Sequence, residues 1–397
     1  MISEKIMGVN RFIKILSVLM FVLSLCMKLT SVSAAEVRCI DRERQALLKF
    51  KHDLVDDYGI LSSWGSEEVK KECCKWKGIS CSKGTGHVVL LDLNVSQSVD
   101  YFYLKAAKLS LVLLELQHLN YLDLSHNDLE EVNWLQHITR LPFLEELYLS
   151  SCQLPSTVPS FDIFTNSSLP YLSILDLSFN DLTSSFAFHW LFNSSASLTS
   201  IDLSYNRIKG PIPDADGELI FLQELVLSYN VFRGMIPKSL GNLSHLYSLD
   251  MSYNELNGPL PNFTKISSLR NLILNNNKLN GFHPQSLGLP SSLEMLELSC
   301  NQFRRLPEGI EKLSKLTSFG MSSNLLNGFH PQSLGLPSSL QSLELSYNQF
   351  RRLPDGIEKL SKLEYLGMSS NLLEGTIAEW YLSNLANLQF LDLSFNS

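Results

Sequence analysis

Leucine recurs along this chain at short spacings that repeat with one longer period. The pattern L-x-x-L-x-L-x-x-N closes at Asn127, Cys152, Asn180, Asn206, Asn230, Asn254, Asn277, Asn301, Asn324, Asn348, Asn371 and Asn396. Most of these twelve copies are 23 to 25 residues apart, and a weaker thirteenth copy runs from Val88 to Ser96. A fixed period of this length indicates a repeat protein, in which each repeat packs against its neighbours.

Each copy of the pattern predicts one short strand followed by a turn. In Leu122-Asp123-Leu124 two leucines alternate with a polar residue, so the leucines point inward and the aspartate points outward. The closing Asn can turn its amide inward and hydrogen-bond to backbone groups of the turn. Because one repeat cannot bury its leucines alone, we expect the strands of successive repeats to form one parallel sheet.

The predicted fold is therefore an α/β repeat, a right-handed solenoid shaped like a horseshoe with a concave parallel β-sheet. Short 3-10 or helical segments are expected on the convex side. With about 4.8 Å between strands, thirteen copies give a sheet about 60 Å long, which is enough for a peptide or protein partner.

A second signature, L-x-G-x-[IL]-P, follows many of the closing residues, as in Ile208–Pro213, Phe232–Pro237 and Leu256–Pro261. Glycine permits a tight bend, and proline fixes φ as the chain passes to the convex side. This string resembles the plant-specific class of leucine-rich repeats. The resemblance implies a leucine-rich-repeat solenoid.

The amino terminus has the three parts of a secretory signal peptide. Basic residues precede the apolar run Ile15–Met27, and the small residues Ser31–Ala35 follow it. We predict a signal peptide at residues 1–35 and a mature chain that starts near Glu36. A membrane anchor is the alternative, but a span needs about 20 apolar residues and Lys28 ends this run early. No later segment has 18 consecutive apolar residues, so we predict no membrane span in this chain.

Cys39, Cys73, Cys74 and Cys81 lie together at the start of the mature chain. In an oxidising compartment four cysteines predict two disulfides, and the sequence alone allows three pairings. A zinc site is less favoured, because adjacent cysteines cannot easily both reach one tetrahedral metal and no His has ligand spacing. Cys152 and Cys300 stand alone inside repeats, and we predict that both are small buried or half-buried fillers.

Between these cysteines, Asp41 can cap a helix that runs to about Leu54 with one apolar face. With the segments Ser63-Trp64 and Cys73–Cys81, residues 36–86 resemble the amino-terminal cap of plant leucine-rich-repeat proteins. The resemblance implies the pairs Cys39–Cys73 and Cys74–Cys81. Residues 87–397 are then about 13 repeats without a carboxyl-terminal cap, which suggests a truncated chain.

The segments Cys39–Lys51, Leu61–Gly65 and Gly84–Val88 are similar to plant receptor-like proteins of the type that perceives a fungal ethylene-inducing xylanase. Such proteins join an extracellular solenoid to one span and a short tail without a kinase, and are thought to signal through partner receptor kinases. The resemblance implies recognition of an extracellular protein or peptide in plant defence, with a receptor kinase as a possible co-receptor. A secreted inhibitor resembling polygalacturonase-inhibiting proteins and a developmental peptide receptor are the alternatives.

Two rows of outward-facing residues predict a ligand-binding site on the concave face. An aromatic row just before the closing Asn contains Phe179, Tyr205, Tyr229, Tyr253 and Tyr347, and an acidic row contains Asp176, Asp202, Glu224, Asp250, Glu297 and Glu344. Aromatic side chains supply rigid contact area and carboxylates supply charge, so these rows favour a polar or cationic ligand. The alternative is that both rows are repeat consensus.

Residues 281–315 and 328–362 are near-copies that differ at four positions, Glu294/Gln341, Met295/Ser342, Cys300/Tyr347 and Glu308/Asp355. Three of these differences fall on the predicted concave face. Each near-copy also contains an arginine doublet, Arg304-Arg305 or Arg351-Arg352. We interpret these doublets as solvated loop residues, with anion contacts as the alternative.

Sequons predict N-glycosylation at Asn94, Asn166, Asn193, Asn242 and Asn262. The net charge of −8 argues against nucleic acid as a partner, because binding to phosphates needs clustered Lys and Arg. No sequence motif gathers a base, a nucleophile and an oxyanion donor, and the histidines lack metal-ligand spacing. We therefore expect no catalytic residues, metal or cofactor.

Overall fold

The computed structural model describes residues 38–95, 103–106, 111–129, 138, 140–154, 169–183, 197–215, 219–283, 287–307, 309–327, 335–354, 356–376 and 382–396. The predicted signal peptide, residues 1–35, lies outside them. Helix α1 spans Asp41–Asp53. Short 3-10 helices span Glu68–Lys70, Cys73–Lys75, Leu111–Glu115, Lys238–Asn242, Ile310–Lys312 and Ile357–Lys359. No helix among the described residues combines the length and apolar character that a bilayer crossing requires.

Twenty short strands follow one another along the described residues. They are β1 (Leu54–Val55), β2 (Ile79–Cys81), β3 (Val88–Asp92), β4 (Lys105–Ala106), β5 (Tyr121–Asp123), β6 (Glu146–Tyr148), β7 (Ile174–Asp176), β8 (Ser200–Asp202), β9 (Lys209–Gly210), β10 (Glu224–Val226), β11 (Val231–Gly234), β12 (Ser248–Asp250), β13 (Glu255–Pro259), β14 (Asn271–Ile273), β15 (Lys278–Gly281), β16 (Met295–Glu297), β17 (Ser318–Gly320), β18 (Ser342–Glu344), β19 (Tyr365–Gly367) and β20 (Phe390–Asp392).

Fourteen of these strands form the main sheet, in the order β2-β3-β5-β6-β7-β8-β10-β12-β14-β16-β17-β18-β19-β20. β2 is antiparallel to β3, and the strands from β3 onward pair in parallel. The central residues are in register, so that Leu225 lies between Ile201 and Leu249. All three are at most 1 % exposed, because stacking of the repeats covers them. The predicted parallel-sheet solenoid is confirmed.

The closing asparagines form a ladder of buried amides. Nδ2 of Asn254 donates to the carbonyls of Met251 and Ser252 in its own turn, at 3.2 and 3.0 Å, and to Leu227 O of the preceding repeat at 2.9 Å. Its Oδ1 accepts from Phe232 N of that preceding repeat at 3.0 Å. The predicted inward turn of the amide is confirmed, and it ties each repeat to the one before.

Cys152 occupies one rung of this ladder. Its thiol donates to Leu124 O of the preceding repeat at 3.1 Å, in place of an amide. Leu129 N donates instead to the backbone carbonyl of Cys152, at 2.9 Å. Cys152 is buried, as predicted.

The residue before each closing residue adopts a left-handed conformation. Twelve such residues have φ between 51° and 62°: His126, Ser151, Phe179, Tyr205, Tyr229, Tyr253, Asn276, Cys300, Ser323, Tyr347, Ser370 and Phe395. Cys300 is exposed at this position, so its prediction as a buried or half-buried filler is wrong. The left-handed turn directs Cys300 outward, whereas Cys152 stands one place later and faces the core.

The L-x-G-x-[IL]-P string forms a second sheet, with strand order β15-β13-β11-β9 and parallel pairing. Gly210, Gly234 and Gly258 have φ of 98°, 88° and 78°, values that favour glycine. The sequence predicts only a bend for this string. Its pairing was missed because two to five residues with an internal glycine carry a weak strand signal.

Helix α1 begins at Asp41 rather than after it, so the prediction that Asp41 caps the helix is wrong. Ile40 is the cap residue and makes no side-chain cap bond, while Oδ1 of Asp41 accepts from the Arg44 guanidinium at 2.9 Å. The helix buries Leu47 and Phe50 against the start of the solenoid.

Two disulfides staple this cap, Cys39–Cys73 and Cys74–Cys81, which are the pairs that the family resemblance implies. The carboxylate of Glu43, 3 % exposed, joins α1 to the first parallel strand. Its Oε2 accepts from Val88 N at 2.7 Å, and its Oε1 lies 2.8 Å from Nδ1 of His87. The cap is thus bonded to the edge that it covers.

The Asn ladder generates a stability prediction. Replacing Asn254 by Ala leaves three carbonyls and the amide of Phe232 without their side-chain partner. We expect a loss of about 1–3 kcal/mol in urea unfolding, with faster hydrogen exchange at the Phe232 amide. Asn257→Ala is the matched control, because Asn257 is exposed in β13 and should change stability by less than about 0.5 kcal/mol. Equal losses in the two variants would contradict the ladder's role.

Candidate ligand-binding face

The main-sheet strands from β5 to β19 have three residues each, and their first and third residues flank a buried central residue and form two rows across the sheet. The third row contains Asp176, Asp202, Asp250, Glu297 and Glu344, so most of the predicted acidic row lies in register along one line. Glu224 stands in the first row instead, where its Oε2 accepts from the Ser200 hydroxyl at 3.2 Å. The predicted acidic set is therefore divided between two lines.

The aspartates of the third row are engaged by their own repeats. Oδ1 of Asp202 accepts from Ser204 N at 2.8 Å. Oδ1 of Asp176 accepts from Ser178 N at 2.8 Å, and that of Asp250 from Ser252 N at 2.9 Å. This bond closes the turn after the strand, which favours the repeat-consensus alternative for these aspartates.

Two carboxyls of the third row are partly desolvated. Burial raises the pKa of Asp202 above its usual range, against the opposing bonds from Ser204. Burial also raises the pKa of Glu297, whose Oε1 accepts from the Ser318 hydroxyl at 3.2 Å. Glu297 lies over Gly320 on the next strand, so a side chain at residue 320 would collide with its carboxylate. Their surroundings favour the neutral form relative to a carboxyl in water.

Four residues of the predicted aromatic row form one continuous stack, here called the aromatic ladder: Phe179, Tyr205, Tyr229 and Tyr253. Successive ring centroids are 4.1, 4.1 and 4.0 Å apart, and neighbouring planes differ by at most 11°. The side chains are 36–52 % exposed. Hydrogen bonding with Tyr253 and Tyr205 raises the pKa of Tyr229, so the Tyr229 phenol remains protonated at neutral pH.

The ladder lies at the carboxyl-terminal edge of the main sheet, three residues beyond each strand end. Tyr347 occupies the same position in its repeat and is 61 % exposed. It is separated from the ladder by three repeats whose equivalent residues are Asn276, Cys300 and Ser323. The predicted stripe is therefore one ladder plus one distant tyrosine.

A shallow groove of about 600 Å³ runs beside the ladder. Asp181 and Arg207 also line it, and their charged groups form an ion pair at 2.8 Å. The groove thus offers ring edges, phenol hydroxyls and one paired charge of each sign, which suits a polar ligand with some apolar surface.

Sequence reasoning missed a second group of exposed rings, three residues before the strands. His118, Phe143 and Tyr171 follow one another with centroids 6.1 and 5.9 Å apart, and Phe221 is 6.0 Å from His245. Because the strands are parallel, these rings lie along the amino-terminal edge, opposite the ladder. Their signal in the sequence is an aromatic residue directly before the leucine that precedes each strand.

Three predicted glycosylation sites fall on described residues: Asn94, Asn242 and Asn262. All three are exposed. Nδ2 of Asn94 donates to Oδ2 of Asp123 at 3.0 Å, so a glycan there would lie beside the first strands of the main sheet. Asn166 and Asn193 lie outside the described residues. Glycosylation at all five sites stays a prediction.

Family models match most of the chain. A leucine rich repeat N-terminal domain matches residues 40–82, and leucine rich repeat models match residues 115–130, 196–256, 267–326, 291–350, 315–373 and 338–397. All of these models describe cap or repeat units.

The chain is similar to two curated relatives from Solanum lycopersicum. It is 36 % identical to receptor-like protein EIX1 over 287 residues, and 35 % identical to receptor-like protein EIX2 over 274 residues. These matches cover 52 % and 50 % of the chain, but only 28 % and 26 % of the length of the two relatives.

Among solved structures, the chain resembles the LRR ectodomain of the plant membrane receptor kinase GASSHO1/SCHENGEN3 from Arabidopsis thaliana, in complex with CASPARIAN STRIP INTEGRITY FACTOR 2. The TM-score is 0.64 at 27 % sequence identity, and the match covers 89 % of the chain and 47 % of that ectodomain.

The raised pKa of Asp202 predicts a pH-dependent effect on stability. A folded-state pKa above the unfolded value means that ionised Asp202 destabilises the fold at neutral pH, and that this cost disappears as the pH falls through the folded pKa. Asn can still accept from Ser204 N. We therefore expect Asp202→Asn to raise the urea midpoint at pH 7, by an amount that shrinks toward about pH 3.

Asp392→Asn is the opposite-sign control. Bonds from Ser394 lower the pKa of Asp392, so its ionised form stabilises the fold above the unfolded pKa. Its replacement should lower the urea midpoint at pH 7, and the loss should shrink on acidification. A change of the same sign in both variants would refute the electrostatic account of the third row.

Proposed function

Because the chain belongs to the leucine-rich-repeat proteins and is homologous to the tomato receptor-like proteins EIX1 and EIX2, we propose that it is the extracellular recognition part of a plant receptor-like protein. In this proposal it binds a microbial protein or peptide and acts in defence signalling through a partner receptor kinase. Its place is the outer face of the plasma membrane or the extracellular space.

The aromatic ladder is the observation that carries this proposal. The left-handed turn that holds each ring does not require an aromatic residue, since Ser151, Asn276 and Ser323 occupy it in other repeats. Large exposed rings gathered in one patch are characteristic of protein interaction sites, where they bury much area at little cost in side-chain entropy. Contact with a partner thus explains four consecutive aromatic residues better than the conformational requirement of the repeat turn does.

The charge of the neighbouring third row narrows the kind of ligand. Asp176, Asp202 and Asp250 stand on the same repeats as three of the ladder rings. Each gives one oxygen to its own turn, and Val226 stands between Asp202 and Asp250 in the row, so the row offers carboxylates interrupted by an apolar residue. A ligand that presents polar and basic groups beside an apolar patch is complementary to this surface.

The structural neighbour supports recognition by a solenoid of this kind. The GASSHO1/SCHENGEN3 ectodomain was solved in complex with CASPARIAN STRIP INTEGRITY FACTOR 2, so an LRR ectodomain that shares 27 % of its sequence with this chain holds a separate partner. The EIX relatives are named receptor-like proteins. Their names support the proposal that this chain is part of a receptor and not a free-standing enzyme.

Binding to purified proteins tests the proposal. The secreted, glycosylated chain is immobilised, and a purified fungal xylanase and a purified fungal polygalacturonase are passed over it in surface plasmon resonance. We expect one of them to bind, and the triple change Tyr205→Ala/Tyr229→Ala/Tyr253→Ala to weaken binding at least about tenfold, because it removes clustered anchor rings.

The matched control removes three exposed rings from the opposite edge, Phe143→Ala/Tyr171→Ala/Phe221→Ala, and should leave binding unchanged. Binding that survives loss of the ladder, or a folded chain that binds neither enzyme, would count against the proposal. If the bound enzyme also lost its activity, the secreted inhibitor would be the better description.

A further inference from the structure

The class of repeat changes after β15, and a cavity opens where it does. In earlier repeats glycine stands four places after the closing Asn, as in Gly258 and Gly281, and continues the second sheet. In the next repeat Arg305 takes the place of that glycine, and Pro307 follows Asn301 after six residues instead of seven. Among the described residues the second sheet has no strand beyond β15, and a cavity of about 680 Å³ lies beside its end.

This cavity has phenylalanine rings in its wall and a basic rim. The rings of Phe282 and Phe303 lie in its wall with centroids 4.9 Å apart. Arg304, Arg305 and Lys312 line it as cations, together with uncharged polar side chains such as Thr264 and Asn280. Its size and its mixture of apolar surface with a few charged groups are typical of small-ligand sites.

The three cations have no ion-pair partner within the described part of the chain. None of the described residues that line the cavity has a carboxylate, and Glu308 lies outside the described residues. The neighbours of Arg304 in the equivalent position of adjacent repeats are Asn280 and Asn327, which carry no charge.

The near-copy of this repeat shows how such a charge is otherwise compensated. Arg351 is the equivalent of Arg304, and its guanidinium pairs with Glu374 at 2.6 Å. Glu374 N donates to Arg351 O, as Asn327 N donates to Arg304 O, so Asn327 and Glu374 occupy equivalent places. One substitution therefore separates an arginine that is neutralised by Glu374 from one that has no ion-pair partner among the described residues.

We infer that this cavity binds a small polyanion that carries two or more oxyanion groups. Guanidinium groups bind carboxylate, sulfate or phosphate oxygens through paired N–H donors. The carbon skeleton of such a ligand can contact the half-buried ring of Phe282, which packs on the buried ring of Phe303. Three like charges around one cavity repel one another, and an anion relieves this repulsion. The site lies beside the second sheet, apart from the aromatic ladder, so the inference does not rest on the proposed function.

Titration calorimetry with defined anions tests the site in the full secreted chain. The probes are inorganic pyrophosphate, a sulfated disaccharide and trigalacturonate, with a neutral trisaccharide as the blank, and the probe that binds identifies the source of the oxyanion. We expect at least one anion to bind at low salt, with affinity that falls as ionic strength rises, and no binding of the blank.

The variants use the near-copy as an internal reference. Asn327→Glu supplies the partner that Arg351 already has, and should weaken binding about tenfold, as should Arg304→Gln. Arg351→Gln removes an arginine of the same sequence context that is already paired, and should not change affinity. All three sites are on the surface, and unchanged thermal unfolding will show that the fold is intact.

Two results would overturn the inference. One is that no anion binds to the folded chain at millimolar concentration. The other is that an anion binds, but its affinity is unchanged by Asn327→Glu and Arg304→Gln or falls equally with Arg351→Gln. Either pattern would mean that the anion is attracted to basic residues in general and not to this cavity.

Discussion

The architecture depends on satisfying the backbone at one turn per repeat. Each strand of the main sheet ends where the chain must leave the sheet, and there the buried amide of the closing Asn bonds to carbonyls of two repeats. An unpaired polar group in that position would cost more than its hydrogen bond contributes, so the chain keeps the Asn or, at Cys152, a substitute that still donates. The ladder thereby fixes the spacing, direction and register of the repeats.

This constraint also decides which surface positions are free to vary. The aspartates of the third row close the turn after each strand, so their presence is explained by the repeat itself. The residue before the closing Asn must adopt a left-handed conformation, but Ser, Asn, Cys, His, Tyr and Phe all occur there. The side chain at that position can therefore vary to suit a binding partner without weakening the ladder of closing asparagines.

Departures from the repeat mark the other places of interest. Loss of the glycine at Arg305 coincides with the end of the second sheet and with a cavity rimmed by cations. At the amino terminus the cap replaces repeat packing by disulfides, stacked Trp64 and Trp76, and the bond from Val88 to buried Glu43. In both cases a regular set of contacts between repeats stops, and side chains outside the repeat pattern line the interruption.

Much of the fold of this protein could be predicted from its sequence, because local physical rules determine it. The period of leucine and asparagine predicted the parallel sheet and the inward amides, because both follow from spacing and from the need to pair buried polar groups. Tertiary structure alone decided that Phe179, Tyr205, Tyr229 and Tyr253 stack as one ladder while Tyr347 stands apart, and that Cys300 is exposed. It also decided that Arg351 pairs with Glu374, whereas the equivalent place beside Arg304 holds the uncharged Asn327. These outcomes depend on which residue occupies the equivalent place in the next repeat, and only stacking brings those places together.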